Sequence, residues 1–168
     1  MQLGFSFDFL RCIGCFSCIV ACQDQNDLPG EVTFRHVVKL ENGKYPSVRF
    51  SFLSIACLHC GDAPCIVVCP TGALQKRDKD GIVIVDRNLC IGCHSCALAC
   101  PFGAPQYLHD GKMEKCDFCA ARVEAGLEPA CVRVCPTKAL DFGPIEKIED
   151  AIAEKASRAI LGARGLLP

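Results

Sequence analysis

Twelve residues in mid-chain, Cys90-Ile91-Gly92-Cys93-His94-Ser95-Cys96-Ala97-Leu98-Ala99-Cys100-Pro101, form a C-x2-C-x2-C-x3-C-P run. Three cysteines at every third position of a tight loop can present three thiolates to one iron–sulfur cubane. The fourth, on the helical turn that follows, is carried out of reach and ligates a second cluster. Such a run cannot complete its own cluster and requires partner runs elsewhere. The chain contains three of them. Cys12, Cys15, Cys18 and Cys22 repeat the x2, x2, x3 spacing with Gln23 in place of the proline. Cys57, Cys60, Cys65 and Cys69 are spaced x2, x4, x3 and close on Pro70, and Cys116, Cys119, Cys131 and Cys135 are spaced x2, x11, x3 and close on Pro136.

The runs are related to one another. Cys12-Ile13-Gly14-Cys15-Phe16-Ser17-Cys18 matches the loop beginning at Cys90 at every position but one, and an aspartate, Asp8 or Asp86, stands four residues before the first cysteine of each. Cys69-Pro70-Thr71-Gly72-Ala73-Leu74 returns as Cys135-Pro136-Thr137-Lys138-Ala139-Leu140. The chain is an internal duplication.

Sixteen cysteines in 168 residues leave three chemistries to weigh: disulfides, zinc and iron–sulfur clusters. Secreted disulfide frameworks rarely put four cysteines in eleven residues, and the chain opens on Met1-Gln2-Leu3-Gly4-Phe5 without a basic, apolar or twin-arginine leader. A reducing, cytoplasmic setting is expected. Structural zinc sites take paired cysteines, two pairs to a site, whereas two of these runs offer three evenly spaced ligands and three end in Cys-Pro. A net charge of -1 with scattered basic residues does not suit nucleic acid. No apolar run is long enough to span a membrane.

The elements around the runs follow from pattern. Phe5, Phe7 and Phe9 alternate as on a strand with one buried face. Val32 to Leu40 and Val48 to Ile55, with Asn42-Gly43 between them, predict a β-hairpin, inserted over residues 30–55 either to cover a cluster or to dock a partner. Leu74 to Arg77 and Ile82 to Val85 predict a second hairpin across Asp78-Lys79-Asp80-Gly81. The insert from Ala120 to Ala130 suits one helical turn or two. From Pro144 onward, Ile145, Ile148, Ile152, Ala156, Ala159 or Ile160, and Ala163 recur three or four apart, predicting an amphipathic helix that packs on its own domain or on another chain.

The four spacings in this order resemble the four-cluster iron–sulfur subunits of molybdenum and tungsten oxidoreductases, the dimethyl sulfoxide reductase-like group, over Phe5 to about Phe142. The resemblance implies an α+β fold of two nested bacterial-ferredoxin-like modules, each with two [4Fe-4S] clusters, with short β-hairpins and a C-terminal amphipathic helix. Residues 1–22 with 101–142 would form the first module, 56–100 the second, and 143–168 a helical extension. It also implies the ligand sets: Cys12, Cys15, Cys18 and Cys135; Cys22, Cys116, Cys119 and Cys131; Cys57, Cys60, Cys65 and Cys100; and Cys69, Cys90, Cys93 and Cys96. The function implied is a non-catalytic relay between a large molybdenum- or tungsten-pterin catalytic subunit and a further redox subunit, a soluble ferredoxin or an NAD-reducing subunit. The short chain is most similar to compact cytoplasmic members that serve tungsten aldehyde oxidoreductases or formate dehydrogenase and carbon dioxide reductase complexes, some of which self-associate or form filaments through the C-terminal helix. A free-standing polyferredoxin carrier is the rival reading, and a zinc-stabilised binding module the remote one.

Other residues near the ligands are expected to tune or shield. With sixteen thiols for four cubanes, no iron is left open for substrate, and His59 and His94 become spectators that shape hydrogen bonds or potential. Lys115, beside Cys116, is either a potential-raising charge or a solvated surface lysine. Gly14 and Gly92 free the backbone to wrap a cubane. Ile13, Ile91, Val67 and Val134 are expected as dry walls around the clusters.

Overall fold

The computed structural model describes residues 1–164, and the last four residues of the C-terminal extension lie outside it. Its elements fall into two series of the same order. The first is β1 (Leu3–Phe7), α1 (Ser17–Gln25), a hairpin of β2 (His36–Asn42) and β3 (Arg49–Ile55), α2 (Pro64–Val67) and β4 (Leu74–Lys76). The second is β5 (Val83–Val85), α3 (Ser95–Ala99), a hairpin of β6 (Gln106–Tyr107) and β7 (Met113–Glu114), the short helices α4 (Ala120–Glu124) and α5 (Ala130–Arg133), and β8 (Leu140–Pro144). A longer helix, α6 (Ile145–Ala163), follows. The duplication therefore extends beyond the cysteines, and the hairpin expected as an insertion has a short counterpart in β6 and β7.

Strands pair across the two series. β1 pairs antiparallel with β8, Leu3 opposite Pro144 and Phe7 opposite Leu140, while β4 pairs with β5, Leu74 opposite Val85. The chain ends thus meet at one sheet and the chain middle forms another. Each series then makes the same turn. The N–H of Asp8 donates to Ala139 O and that of Asp86 to Ala73 O, both at 2.8 Å. The aspartate side chains next accept backbone N–H groups two residues on, Leu10 at 3.1 Å and Asn88 at 2.9 Å. This Asx turn ends the strand and aims the chain into the cysteine loop. It also carries Phe9, expected on the buried strand face, out to 62% exposure.

The long hairpin closes later than Asn42-Gly43 predicts. Asn42 is its last paired residue, opposite Arg49, and residues 43–48 form the loop. Pro46 cannot donate to a ladder, and a turn closed by Ser47 N–H to Lys44 O at 2.7 Å takes over. The insert after Cys119 makes one helical turn and stops where Gly126 turns left-handed at φ 74°.

The core is small and the thiols are part of it. Cys22, Cys57 and Cys116 pack with Val32 and Phe34, and Cys18 and Cys131 with Val132 and Leu140. A separate cluster of Leu3, Ile82 and Phe118 sits between the series, with Phe5 stacked on Phe118 at 4.1 Å. α6 packs its apolar side on this body only at its start, and Lys155 ties it again further along through an ion pair with Asp8 at 2.6 Å. A Cβ on Gly4 would stand 3.0 Å from Ile145 Cγ1 and 3.8 Å from Ile148 Cδ1, so glycine there lets the helix lie close on β1. Beyond Ile148 the predicted apolar stripe is not covered, Ile152 and Ile160 being 58% and 60% exposed.

Candidate functional site

All sixteen cysteines are free thiols, and the fold gathers twelve of them around three pockets. Cys12, Cys15 and Cys18 line one pocket with Cys135, more than a hundred residues away, around about 330 Å³ of empty space. Cys90, Cys93 and Cys96 line a second of about 330 Å³ with Cys69. Cys57, Cys60 and Cys65 line a third of about 400 Å³ with Cys100. Cys22, Cys116, Cys119 and Cys131 are all buried, and Cys119 and Cys131 are near enough to Cys22 to oppose its ionisation.

The loops reach this geometry through left-handed residues. Gly14 and Gly92 have φ of 66° and 68°, and an added Cβ would meet the Phe52 ring at 2.4 Å or the Gly111 carbonyl oxygen at 2.6 Å. The chain then enters α1 and α3 through Phe16 and His94, both left-handed at φ 60° and 63°. These turns direct the three sulfurs inward and the intervening side chains outward. Hence Ile13 and Ile91 line their pockets yet remain 62% and 67% exposed, and Val67 is 84% exposed. With Val134 also exposed, none of the four residues expected as dry walls is buried.

Hydrogen-bond donors converge on the sulfurs. Backbone N–H groups of Met113, Ala139 and His59 approach the Sγ atoms of Cys90, Cys135 and Cys57 at 3.4, 3.3 and 3.5 Å. Hydroxyls do the same: Ser54 Oγ lies 3.5 Å from Cys18 Sγ, Tyr107 OH 3.5 Å from Cys96 Sγ, Thr71 Oγ1 3.7 Å from Cys69 Sγ and Thr137 Oγ1 3.8 Å from Cys135 Sγ. The repeated Cys-Pro-Thr was the signal for the two threonines. Nothing in local spacing marks Ser54 or Tyr107, which come from β3 and β6.

Burial pushes the Cys22 thiol up to about 12, and Cys18, Cys65, Cys116 and Cys119 upward as well. For Cys69 and Cys135 burial is outweighed by the N–H and threonine hydrogen bonds, and both fall below the ordinary thiol value. A buried thiol of this kind becomes a thiolate when a cation replaces its proton, which couples metal loading to folding.

The histidines diverge. His94 is exposed and stacks on Tyr107 with ring centroids 3.7 Å apart. His59 is fully buried, its Nδ1 accepting the Val83 N–H at 3.0 Å, and burial with Lys115 and Lys76 nearby holds it well below the usual imidazole range. Lys115 is buried rather than solvated, because its Nζ reaches inward to donate to Val83 O and, at 3.0 Å, to Cys116 O.

The donor set suits a polynuclear centre. Among the described residues no three His, Cys, Asp or Glu side chains converge closely enough to hold a single metal ion. Four thiols around an open space, with N–H and O–H donors directed at sulfur, fit an all-cysteine four-iron cluster.

Residues 48–145 match the 4Fe-4S dicluster domain family. The probable anaerobic dimethyl sulfoxide reductase chain YnfG of Escherichia coli is 47% identical over 88% of this chain and 76% of its own length. The B subunit of anaerobic dimethyl sulfoxide reductase from the same organism is 46% identical over 95% of this chain and 82% of its own. The chain belongs to the iron–sulfur subunits of the molybdenum oxidoreductase family. A third relative, the thiosulfate reductase electron transfer subunit PhsB of Salmonella typhi, is 48% identical over 84% of this chain and 76% of its own. As an iron–sulfur subunit the protein carries four [4Fe-4S] clusters and relays electrons for a catalytic partner instead of transforming a substrate itself. The fold is the ferredoxin-like one of a 4Fe-4S dicluster domain. No helix among the described residues is long and apolar enough to cross a membrane.

Proposed function

We propose that the sixteen cysteines are shared among the four clusters as Cys12, Cys15, Cys18 and Cys135; Cys22, Cys116, Cys119 and Cys131; Cys57, Cys60, Cys65 and Cys100; and Cys69, Cys90, Cys93 and Cys96. The observation carrying this reading is that three pockets are each lined by three cysteines of one run and one of a distant run. The assignment divides the chain into two nested modules, 1–22 with 101–142 and 56–100, followed by the extension at 143–168. The pairing of β1 with β8 and of β4 with β5 supports that nesting.

In this reading electrons pass one at a time between a molybdenum- or tungsten-pterin catalytic subunit and a second redox partner. The residues of this chain hold the centres, keep water from the buried sulfurs and supply hydrogen bonds that stabilise negative charge there. Sixteen free thiols and oxygen-sensitive centres favour a reducing compartment, and we assign the protein to the cytoplasm. The uncovered stripe of α6, with Ile152, Ile160 and Leu161 exposed, supports self-association through that helix. Truncation after Pro144 should then lower the assembly size by light scattering, and an unchanged size refutes the self-association.

The decisive experiment is oxygen-free purification of the native protein. The expected result is about 16 iron and about 16 acid-labile sulfide per chain, paramagnetic signals on reduction and a large pterin-bearing subunit in the same fraction. Recovery of the iron-loaded chain alone would make it a free-standing polyferredoxin carrier, and zinc in place of iron would end both readings.

A further inference from the structure

The loops Cys57-Leu58-His59-Cys60 and Cys116-Asp117-Phe118-Cys119 are counterparts in the duplication. The third residue of each is left-handed, at φ 48° and 65°, and each is fully buried. The two rings meet edge to face with centroids 5.2 Å apart. Their chemistry differs, since a phenyl ring carries no N–H. In His59, Nδ1 accepts the Val83 N–H at 3.0 Å, so the ring proton must sit on Nε2. Nε2 is buried and has no hydrogen-bond partner in the protein, while the imidazole lines the pocket of Cys57, Cys60, Cys65 and Cys100. An unspent donor at a thiolate-lined cavity points to an anionic acceptor inside it.

Lys115 lines the same pocket. Its Nζ has three N–H groups, of which Val83 O and Cys116 O engage two. The corresponding position before Cys57 is Ala56, which brings no charge. This pocket therefore has an N–H donor that Phe118 lacks and a buried lysine where the other series has Ala56; the buried cation beside Cys22 and Cys116 is Arg35, from a different position.

We propose that His59 and Lys115 act together as potential-setting residues for the centre held by Cys57, Cys60, Cys65 and Cys100, raising its reduction potential. The proposal rests on the ligand assignment above. Reduction adds one electron and one negative charge at the centre, drawn from one redox neighbour and later passed to the other. A donor hydrogen and an ammonium group held nearby stabilise that added charge without moving any atom.

The test is an EPR-monitored redox titration of the intact complex, in the wild type and in His59→Phe, Lys115→Gln and Lys115→Arg. Cys65→Ser identifies the relevant centre by the signal it removes. His59→Phe reproduces the residue of the counterpart loop. His59→Phe and Lys115→Gln should each weaken reduction of that centre about tenfold, a shift of about 59 mV for one electron, leaving the other three in place. Lys115→Arg should retain the wild-type midpoint. An unchanged midpoint in the first two variants, or movement of a different centre, overturns the proposal. Should His59→Phe fail to load the centre, Lys115→Gln decides. Failure of both to load also overturns it, since the pair would then hold the loop together and not set a potential. Survival of every signal in Cys65→Ser would defeat the ligand assignment and the proposal with it, whereas an unshifted midpoint beside a normal Cys65→Ser result defeats the proposal alone.

Discussion

The pocket of Cys12, Cys15, Cys18 and Cys135 and that of Cys69, Cys90, Cys93 and Cys96 arose from the same duplicated segments and keep the same hydrogen bonds to sulfur by different means. Thr137 and Thr71 occupy the same motif position and lie at nearly the same distance from their cysteines, 3.8 and 3.7 Å. The other hydroxyl is Ser54 in one pocket and Tyr107 in the other, each 3.5 Å from its sulfur. β2 and β3, paired over seven residues, supply a serine, whereas β6 and β7, paired over only two, supply the longer tyrosine. Duplication has kept the donor at the sulfur and not the residue that supplies it. The supports of the two glycines differ in the same way, an aromatic side chain behind Gly14 and a backbone carbonyl behind Gly92.

The largest expected effect comes from the aromatic cluster between the two series. Phe118 is 0% exposed and touches Phe5, His59 and Phe142, so Phe118→Ala should cost about 3–5 kcal/mol and lower the thermal midpoint markedly. A small effect would mean that the β1–β8 and β4–β5 strand pairs and the metal centres hold the two series together without it.

The glycine comparison comes next. Either Gly→Ala change forces a left-handed alanine, at about 1–2 kcal/mol. At Gly92 the new methyl also meets the Gly111 carbonyl, which can yield only if the loop moves, adding roughly 1–3 kcal/mol. At Gly14 the Phe52 ring can swing aside. Iron content should fall more in Gly92→Ala than in Gly14→Ala, and equal losses would show that the supports do not differ in stiffness.

The hydroxyl variants should have the smallest effect. Tyr107→Phe and Ser54→Ala each remove one hydroxyl from beside one ligand sulfur. Each should lower one midpoint by less than about 59 mV, and by similar amounts, in the same redox titration. A clearly larger shift for Tyr107→Phe would show that the pockets are not equivalent electrically, with the stacked His94 the first residue to examine.

Much of the candidate site was legible because its rules are local. Aspartates four residues before Cys12 and Cys90, hairpin strands at Leu74 and Val85, and loops with glycine between the first two cysteines all depend on neighbours in sequence. Legibility failed where distant chain decided the outcome. Lys115 looks like a surface residue beside a ligand, but the carbonyl of Val83 lies within its reach and draws it inside. Ile13 and Ile91 look like core residues, yet a loop that turns three sulfurs inward must turn its spacer side chains outward. Asn42-Gly43 signals a tight turn that Pro46 and Ser47 displace.

The kind and number of ligands were settled by the sequence, since cysteines three apart on one short loop can serve iron whatever surrounds them. The company each triplet keeps was decided only in three dimensions: which hydroxyl or amide faces its sulfurs, and which cation lies buried beside it. Those groups meet because β1 pairs with β8 and β4 with β5, and strand pairing over such separations is a property of the whole chain's packing that no local spacing encodes.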